Sequence, residues 1–154
     1  VSLVRACRPR QWIKNVLVMA APLAAGRLLE PDVARNTAIA FLAFCLASSA
    51  TYLVNDVADA EADRNHPIKR HRPVASGALS TPLAIGAAVV LAGLALLVAL
   101  GSGAPLVATI AAYLVISVSY SLWLKHEPVL DLSAVTSGFL LRAISGGVAS
   151  GLPV

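Results

Sequence analysis

The chain of 154 residues is 58% hydrophobic and only 13% charged, with a mean hydropathy of +0.78 and a formal net charge of +4. These values exclude an ordinary soluble domain, which needs more polar surface to stay dispersed, and they are typical of an integral membrane protein. In such a protein an excess of Lys and Arg indicates cytoplasmic loops, so we expect the membrane as a partner and no nucleic acid.

Five apolar segments follow one another along the chain, and each is long enough to cross most or all of a bilayer. In order they cover about 12–29, 36–54, 80–100, 104–123 and 129–149. The second segment continues directly into an acidic stretch, and prolines interrupt the chain after it. The sequence therefore predicts one all-α membrane domain over residues 1–154. The odd number of segments indicates a piece of a longer bundle.

The distribution of cations predicts the orientation of this bundle. With a cytoplasmic amino terminus, nine of the twelve Lys and Arg lie on the inner side. These nine are Arg5, Arg8, Arg10, Lys14, Arg64, Lys69, Arg70, Arg72 and Lys125. Arg27 and Arg35 fall outside, and Arg142 falls within the last segment. By the positive-inside rule we expect the amino terminus and the polar loops after the second and fourth segments in the cytoplasm.

The stretch from Asn55 to Gly77 carries the strongest chemical signal and reads NDVADAEADRNHPIKRHRPVASG. If the second helix continues through its acidic part, Asp56, Asp59 and Asp63 share an arc of about 60° on one face. Like charges so close together are unfavourable unless a cation lies between them. Oxygen ligands from Asp, with Asn55 as a neutral neighbour, suit Mg²⁺, which shares its coordination with substrate phosphates.

Basic residues follow the acids and could bind the phosphate oxygens that a metal leaves uncovered. The candidates in this loop are Lys69, Arg70 and Arg72. A solvated helix cap followed by a basic loop would give a similar pattern. The position of the acids beside a membrane segment favours the functional interpretation, because charge there is costly and usually functional.

Two charged residues of the fifth segment are not explained by apolar packing. Asp131 and Arg142 are eleven positions apart on one helical face, about 16 Å along the axis, so they cannot pair directly. A buried cation needs a partner, so Arg142 should contact either a carboxylate on another helix or an anionic ligand. Asp131 could assist Lys125 or the metal site, or it could be a helix cap.

The pattern Asn55-Asp56-x-x-Asp59-x-x-x-Asp63 at the end of the second membrane segment resembles the UbiA superfamily of intramembrane prenyltransferases. Further segments resemble one branch, the decaprenyl-phosphate phosphoribosyltransferases of arabinan and cell-wall precursor synthesis. They are RPRQWIKN at 8–15, YLVNDVADAEADRNHPIKRHRPVASG at 52–77, YSLWLKHEPVLD at 120–131 and FLLRAISGGVASGLP at 139–153. The similarity runs along the whole chain.

The resemblance implies a helical bundle of about nine membrane helices, of which this chain supplies about five. It also implies Mg²⁺ bound by two Asp-rich motifs, and the second motif would lie beyond residue 154. The implied donor is phosphoribosyl pyrophosphate and the implied acceptor is a polyprenyl phosphate, at the plasma membrane. Asn55, Asp56, Asp59 and Asp63 would hold the metal, and the three acids would act in catalysis. Phosphate contacts would come from Lys14, Asn55, Lys69, Arg70, Arg72, Lys125 and Arg142.

Two other functions fit the same residues. A UbiA-type enzyme that moves a prenyl group from its diphosphate to an aromatic or other acceptor would share the acidic motif. The basic loop and the segment 125–131 favour the ribosyl donor. A membrane protein with an ion path is the second alternative, but transport sites usually place charges near the middle of the membrane on several helices. The oligomeric state is not predicted.

Overall fold

The computed structural model describes residues 1–124 and 128–152, which are helical apart from turns and contain no β-strand. The α-helices in chain order are α1 Ser2–Ala6, α2 Ala20–Ala24, α3 Pro31–Ala58, α4 Ala60–Arg64, α5 Thr81–Ala99, α6 Ala104–Ser119 and α7 Pro128–Ser150. Helical segments of the 3₁₀ type cover Pro9–Met19, Lys69–His71 and Leu100–Ser102, and a π-helical turn covers Tyr120–Leu124. The all-helical class predicted from the sequence is confirmed.

Three helical stretches in the described residues are long and apolar enough to cross a membrane. They are Pro31–Ala58, Thr81–Ser102 and Ala104–Trp123. These match the second, third and fourth apolar segments of the sequence, so the protein is a multi-pass membrane protein. The fifth segment corresponds to α7, a helix of 23 residues that contains Arg142.

The first apolar segment, which the sequence predicts as one helix over 12–29 with a bend at Pro22, differs from that prediction. It forms a 3₁₀ segment over Pro9–Met19, followed by the short helix α2, which ends at Ala24. Pro22 explains part of the difference, because proline has no N–H to donate to the carbonyl of Val18 and its ring crowds that carbonyl. Pro22 is the third residue of α2, where its missing N–H belongs to the first turn of a new helix and not to a continuation of the preceding segment.

Helix α3 is the centre of the bundle. Of the 18 residues that make up the most apolar stretch of this helix, 61% are buried, against 22% and 28% for the corresponding stretches of the spans that contain α5 and α6. Small side chains allow this close packing, since one buried cluster combines Ala40, Ala43 and Ala47 of α3 with Ala95 and Ala99 of α5. Nearer the carboxyl end of α3, where the acidic stretch begins, Leu53 belongs to a second buried cluster that includes Ala84 and Ala88 of α5.

The two ends of the bundle carry different charges. At one end the basic amino-terminal segment meets the acidic stretch through contacts described below. At the other end Arg27 donates to both carboxylate oxygens of Glu30 at 2.8 and 2.7 Å. These hydrogen bonds hold the pKa of the Glu30 carboxyl below its usual range. The sequence predicts that the amino-terminal segment and the polar stretch after the second apolar segment lie at the same end of the bundle. The contact between Arg8 and Asp56 shows that they do.

Candidate functional site

Asp56 lies in the last turn of α3 and is only 1% exposed. Arg8 donates a hydrogen bond from Nη2 to Asp56 Oδ1. Arg72 Nη1 lies 3.6 Å from the same oxygen. Two arginines from distant parts of the chain therefore neutralise one buried carboxylate, as a buried charge requires.

The acidic stretch does not continue as one helix, which corrects the prediction. Helix α3 ends at Ala58, and Asp59 has φ −94° and ψ 1° before α4 begins at Ala60. Asp59 accepts a hydrogen bond from Asn55 Nδ2 at 3.1 Å. Asp63, which is 3% exposed, instead accepts one from Arg72 Nη1 at 2.7 Å. Asp56 and Asp63 therefore share Arg72, whereas Asp59 bonds to Asn55.

The cation that the crowded carboxylates require is supplied here by arginine. Arg72 Nη1 contacts one oxygen of Asp56 and one of Asp63. Among the described residues, no group of three or more His, Cys, Asp or Glu side chains is arranged to hold a metal ion. The predicted sharing of one face by three acids is therefore not what the structure has.

One oxygen of Asp56 still fits a hard divalent cation. Oδ2 is buried and has no hydrogen-bond partner in the described part of the chain, although both arginines use Oδ1. An unpaired buried carboxylate oxygen is costly. Because Asp56 and Asp63 offer only oxygen donors, their chemistry suits Mg²⁺ better than a softer metal.

Two cavities lined by cations lie near the end of α3, and Asp56 lines the second of them. The first, of about 270 Å³, is lined by Arg8, Lys14, Asn55, Tyr113 and Arg142 among others. The second, of about 320 Å³, is lined by Arg5, Arg8, Asp56, Lys69 and Arg72 among others. Arg8 lines both, and it also lines a third cavity formed by the amino-terminal segment. This arrangement can bind two anionic groups, one in each cavity.

Arg142 is 6% exposed, and the sequence left open whether its partner is a carboxylate or an anionic ligand. Its guanidinium donates to Asn15 Oδ1 at 2.7 Å, to the Gly138 carbonyl at 2.7 Å and to the Tyr113 hydroxyl at 2.9 Å. It also lies over the rings of Phe44 and Tyr113. Its hydrogen-bond partners in the described residues are neutral, so the expected carboxylate from another helix is not among them.

The other predicted phosphate contacts are distributed over both cavities. Lys14 is exposed and lines the first, as does Asn55, which is half-buried. Lys69 is exposed and lines the second, beside the half-buried Arg72. Arg70 is exposed in the 3₁₀ turn between them. The prediction for Lys125 lies outside the described residues, and so does that for the side chain of Asp131.

Sequence reasoning missed the specific roles of two residues. Arg8 was one of several amino-terminal cations, and nothing in the spacing singled it out as the partner of Asp56. Asn15 is 1% exposed and accepts the hydrogen bond from Arg142. An asparagine in an apolar run next to Lys14 was the available signal, since a buried amide needs partners.

Comparison with known proteins gives a consistent set of relatives. A model of the UbiA prenyltransferase family matches residues 16–153. Decaprenyl-phosphate phosphoribosyltransferase of Mycolicibacterium smegmatis is 49% identical over 99% of this chain and 49% of its own length. The protein of that name in Corynebacterium glutamicum is 47% identical over 98% of this chain and 47% of its own length. Nodulation protein NoeC of Azorhizobium caulinodans is 38% identical over 100% of this chain and 50% of its own length.

The chain spans about half the length of these curated relatives. The family match nevertheless covers most of its residues, including the acidic stretch. Arg5, Arg8 and Lys14, which line the cavities, precede the matched range. The match agrees with the helical membrane architecture and with the motif at Asn55–Asp63. This chain belongs to the UbiA prenyltransferase family.

Proposed function

We propose that the protein transfers a 5-phosphoribosyl group from phosphoribosyl pyrophosphate to a polyprenyl phosphate, such as decaprenyl phosphate, and releases pyrophosphate. Such a product would serve arabinan and cell-wall precursor synthesis. The observation that carries the proposal is the pair of cation-lined cavities that share Arg8 beside the buried Asp56. Both substrates are phosphate esters, so the reaction needs two anion-binding places next to each other. Relatives that are 47–49% identical and carry this activity in their names support the choice.

In this reaction an oxygen of the acceptor phosphate attacks the anomeric carbon of the ribose. The bond from that carbon to the pyrophosphate oxygen breaks, and pyrophosphate leaves with the electron pair. Lys69 and Arg72 line the cavity next to Asp56 and would bind the pyrophosphate as its negative charge grows. Arg70 stands in the same turn and would add to this field. An anionic acceptor is already a nucleophile, so no general base is required.

The acceptor phosphate would occupy the other cavity, next to Lys14 and Arg142. Asn55 lines it too and can donate to a phosphate oxygen. We place Lys125 in the same phosphate-binding role. The polyprenyl tail would lie among the apolar helices or in lipid, where it adds affinity but takes no part in the chemistry.

We further propose that Mg²⁺ is the cofactor. UbiA-type prenyltransferases generally depend on a divalent metal. The residues that would hold it are Asp56 and Asp63, which share Arg72, together with Asp59 and Asn55, which bond to each other. When bound, it neutralises the pyrophosphate and so makes it a better leaving group. The unpaired buried Oδ2 of Asp56 supports this assignment.

A prenyl diphosphate is the alternative donor, and one relative favours it. Protoheme IX farnesyltransferase 2 of Pseudoalteromonas translucida is 38% identical over 69 residues, which cover 43% of this chain and 22% of the relative. In that case the cavity beside Asp56 would still bind a diphosphate. The acceptor would be neutral or aromatic, and the cations around Lys14 and Arg142 would have no phosphate to bind.

The test is a donor panel with the complete gene product in lipid. Radiolabelled phosphoribosyl pyrophosphate and radiolabelled prenyl diphosphates are each supplied with polyprenyl phosphate and, separately, with an aromatic acceptor, with and without Mg²⁺. We expect a labelled phosphoribosyl lipid only from the first donor and only with the metal. Transfer from the prenyl diphosphates alone would replace the proposal with the alternative. An ion flux without a transfer product would favour an ion path.

A further inference from the structure

Arg8 is the one residue common to the two cavities beside Asp56, as far as their described linings go. Its guanidinium bonds to Asp56 Oδ1 and lies 5.0 Å from the centre of the Tyr52 ring. Its side chain is 27% exposed, whereas that of Asp56 is 1% exposed. The arginine is therefore the solvent-accessible member of the pair. Its guanidinium can exchange one partner for another without leaving a fully buried position.

The backbone of Arg8 is held in an unfavourable conformation. Its φ of 51° and ψ of 59° lie in the left-handed region, and it is the one non-glycine residue with positive φ among those described. A side chain with a Cβ pays a cost there, and a following proline restricts the residue further. Such a conformation persists only where the surroundings hold it, and residues of this kind cluster at functional sites. The contacts to Asp56 and Tyr52 are the restraints present here.

The two carboxylate oxygens of Asp56 differ in their contacts with cations. Arg8 and Arg72 both approach Oδ1, and Oδ2 is left buried without a partner. A divalent cation on Oδ2 would bring its charge next to two guanidinium groups. Arg72 has a second carboxylate, Asp63, to keep it in place. Arg8 has no second carboxylate among the described residues, so it is the arginine that like-charge repulsion would displace.

The cavity on the other side of Arg8 offers it a new partner. Lys14 and Arg142 line that cavity, and no Asp or Glu is among the described residues that line it. A phosphate group bound there would attract the guanidinium, because charge-assisted hydrogen bonds from arginine to phosphate are strong.

We propose that Arg8 is a positioning residue that couples metal binding to anion binding. Without ligands its guanidinium neutralises Asp56 and competes with a divalent cation. A phosphate monoester in the cavity of Lys14 and Arg142 takes the guanidinium and frees Asp56 for the cation. This inference rests on the proposed metal site, but it does not depend on which donor the enzyme uses. By linkage, the metal in turn tightens binding of the phosphate.

The test measures Mn²⁺ affinity by calorimetry on the complete protein in lipid nanodiscs, with neither donor nor polyprenyl lipid present. Arg8→Gln removes the competing charge, so we expect Mn²⁺ to bind about tenfold more tightly than to the wild type, within the usual range of coupling. Saturating methyl phosphate should tighten Mn²⁺ binding to the wild type by a similar factor and to Arg8→Gln by much less. A matching titration of Mn²⁺ into methyl phosphate alone corrects for their association.

Two further variants make the test independent of folding and of net charge. Arg8→Gly removes the guanidinium and also the backbone cost, since glycine adopts positive φ freely, so it should bind Mn²⁺ as tightly as Arg8→Gln. Arg10→Gln removes the same charge from the same segment but lines neither cavity as described, so it should behave as the wild type. Unchanged or weaker Mn²⁺ affinity in both Arg8 variants would overturn the proposal. So would an equal gain from methyl phosphate in all proteins, or no Mn²⁺ binding to any of them.

The donor panel is a separate measurement. A coupling of the expected size alongside transfer from a prenyl diphosphate would retain the role of Arg8 and reject the ribosyl donor. A phosphoribosyl product without coupling would retain the ribosyl donor and reject the proposed role of Arg8.

Discussion

Arg142 Nε lies 2.7 Å from Asn15 Oδ1, and this hydrogen bond joins helix α7 to a segment 127 residues earlier in the chain. Asn15 also places its amide nitrogen 3.3 Å from Cys45 Sγ on α3. One buried amide thus connects the amino-terminal segment, the central helix and α7. The first cavity, which Arg142 lines, depends on this connection for its shape.

The first prediction concerns this amide. Asn15→Leu removes the acceptor for Arg142 and leaves a buried guanidinium under-bonded, which should cost about 1–3 kcal/mol in unfolding free energy. Asn15→Asp keeps the acceptor oxygen and adds a charge opposite to that of Arg142, so it should retain the stability of the wild type. Reversible unfolding in detergent measures both. An equal loss in the two variants would mean that the hydrogen bond to Arg142 is not what matters.

The second prediction concerns the contact of α7 with the amino-terminal segment at Gly146. A Cβ built on Gly146 would lie 1.8 Å from the Val18 carbonyl oxygen and 3.0 Å from Pro22 Cδ. Gly146→Ala should therefore separate these elements and destabilise the protein by about 1–3 kcal/mol or more. Gly93→Ala on α5, where a Cβ meets nothing within 4 Å, is the matched control. Comparable folded yields of the two variants on size-exclusion chromatography would contradict this packing.

The third prediction concerns Asp56. Asp56→Asn keeps the size of the side chain but removes the charge that pairs with Arg8 and Arg72, so transfer should fall by about 10²–10³-fold. We expect the same direction for Asp59→Asn. The control is Asp32→Asn, an acid at the opposite end of α3 whose side chain is 87% exposed. Transfer is assayed with each donor on protein whose thermal unfolding has been recorded. Near-normal turnover in folded Asp56→Asn would count against its role.

The fourth prediction concerns Arg72. Arg72→Ala should raise the KM for the pyrophosphate-bearing donor by about tenfold, because one charge-assisted contact to phosphate is lost. The variant also leaves Asp56 and Asp63 without the guanidinium between them, so some loss of stability should accompany the change. Arg35→Ala removes an exposed cation at the other end of the bundle and should leave the KM unchanged. A donor KM equal to that of the wild type would remove Arg72 from the site.

The fifth prediction concerns orientation. We propose a cytoplasmic active site in the plasma membrane, so a cysteine at Ser76, in the loop after the acidic stretch, should react with an impermeant maleimide only from the inner side. A cysteine at Leu29, which is 94% exposed at the other end, should react from the outer side. Cys7 and Cys45 are replaced beforehand. Labelling of intact and inverted vesicles measures both, and the opposite pattern would reverse the topology.

Local features of the sequence predicted much of the fold. Helix α5 begins at Thr81 after Ser80, as the N-cap pattern indicates, and the fourth span ends at Trp123 as expected. These boundaries depend on apolar runs, caps and prolines, which are properties of short stretches. The polar loop after α3 was also correctly placed, because Pro67 and Pro73 prevent a continuous helix.

The arrangement of the acids could not be predicted in the same way. A helical projection places Asp56, Asp59 and Asp63 together, but the structure ends α3 before Asp59, and Asp59 bonds to Asn55 while the other two acids share Arg72. The partner of Asp56 comes from 48 residues earlier in the chain. Which of four amino-terminal cations fills that role depends on the fold of the whole bundle. Sequence periodicity carries no information on it.

The pairing of Arg8 with Asp56 also has a practical consequence for truncated variants. The residue that neutralises the buried acid lies ahead of the helical stretches that are long enough to cross a membrane. Deletion of residues 1–8 leaves those stretches intact but removes this partner of Asp56. The turnover of such a truncated variant should be compared with that of the full chain before low activity is attributed to detergent or lipid.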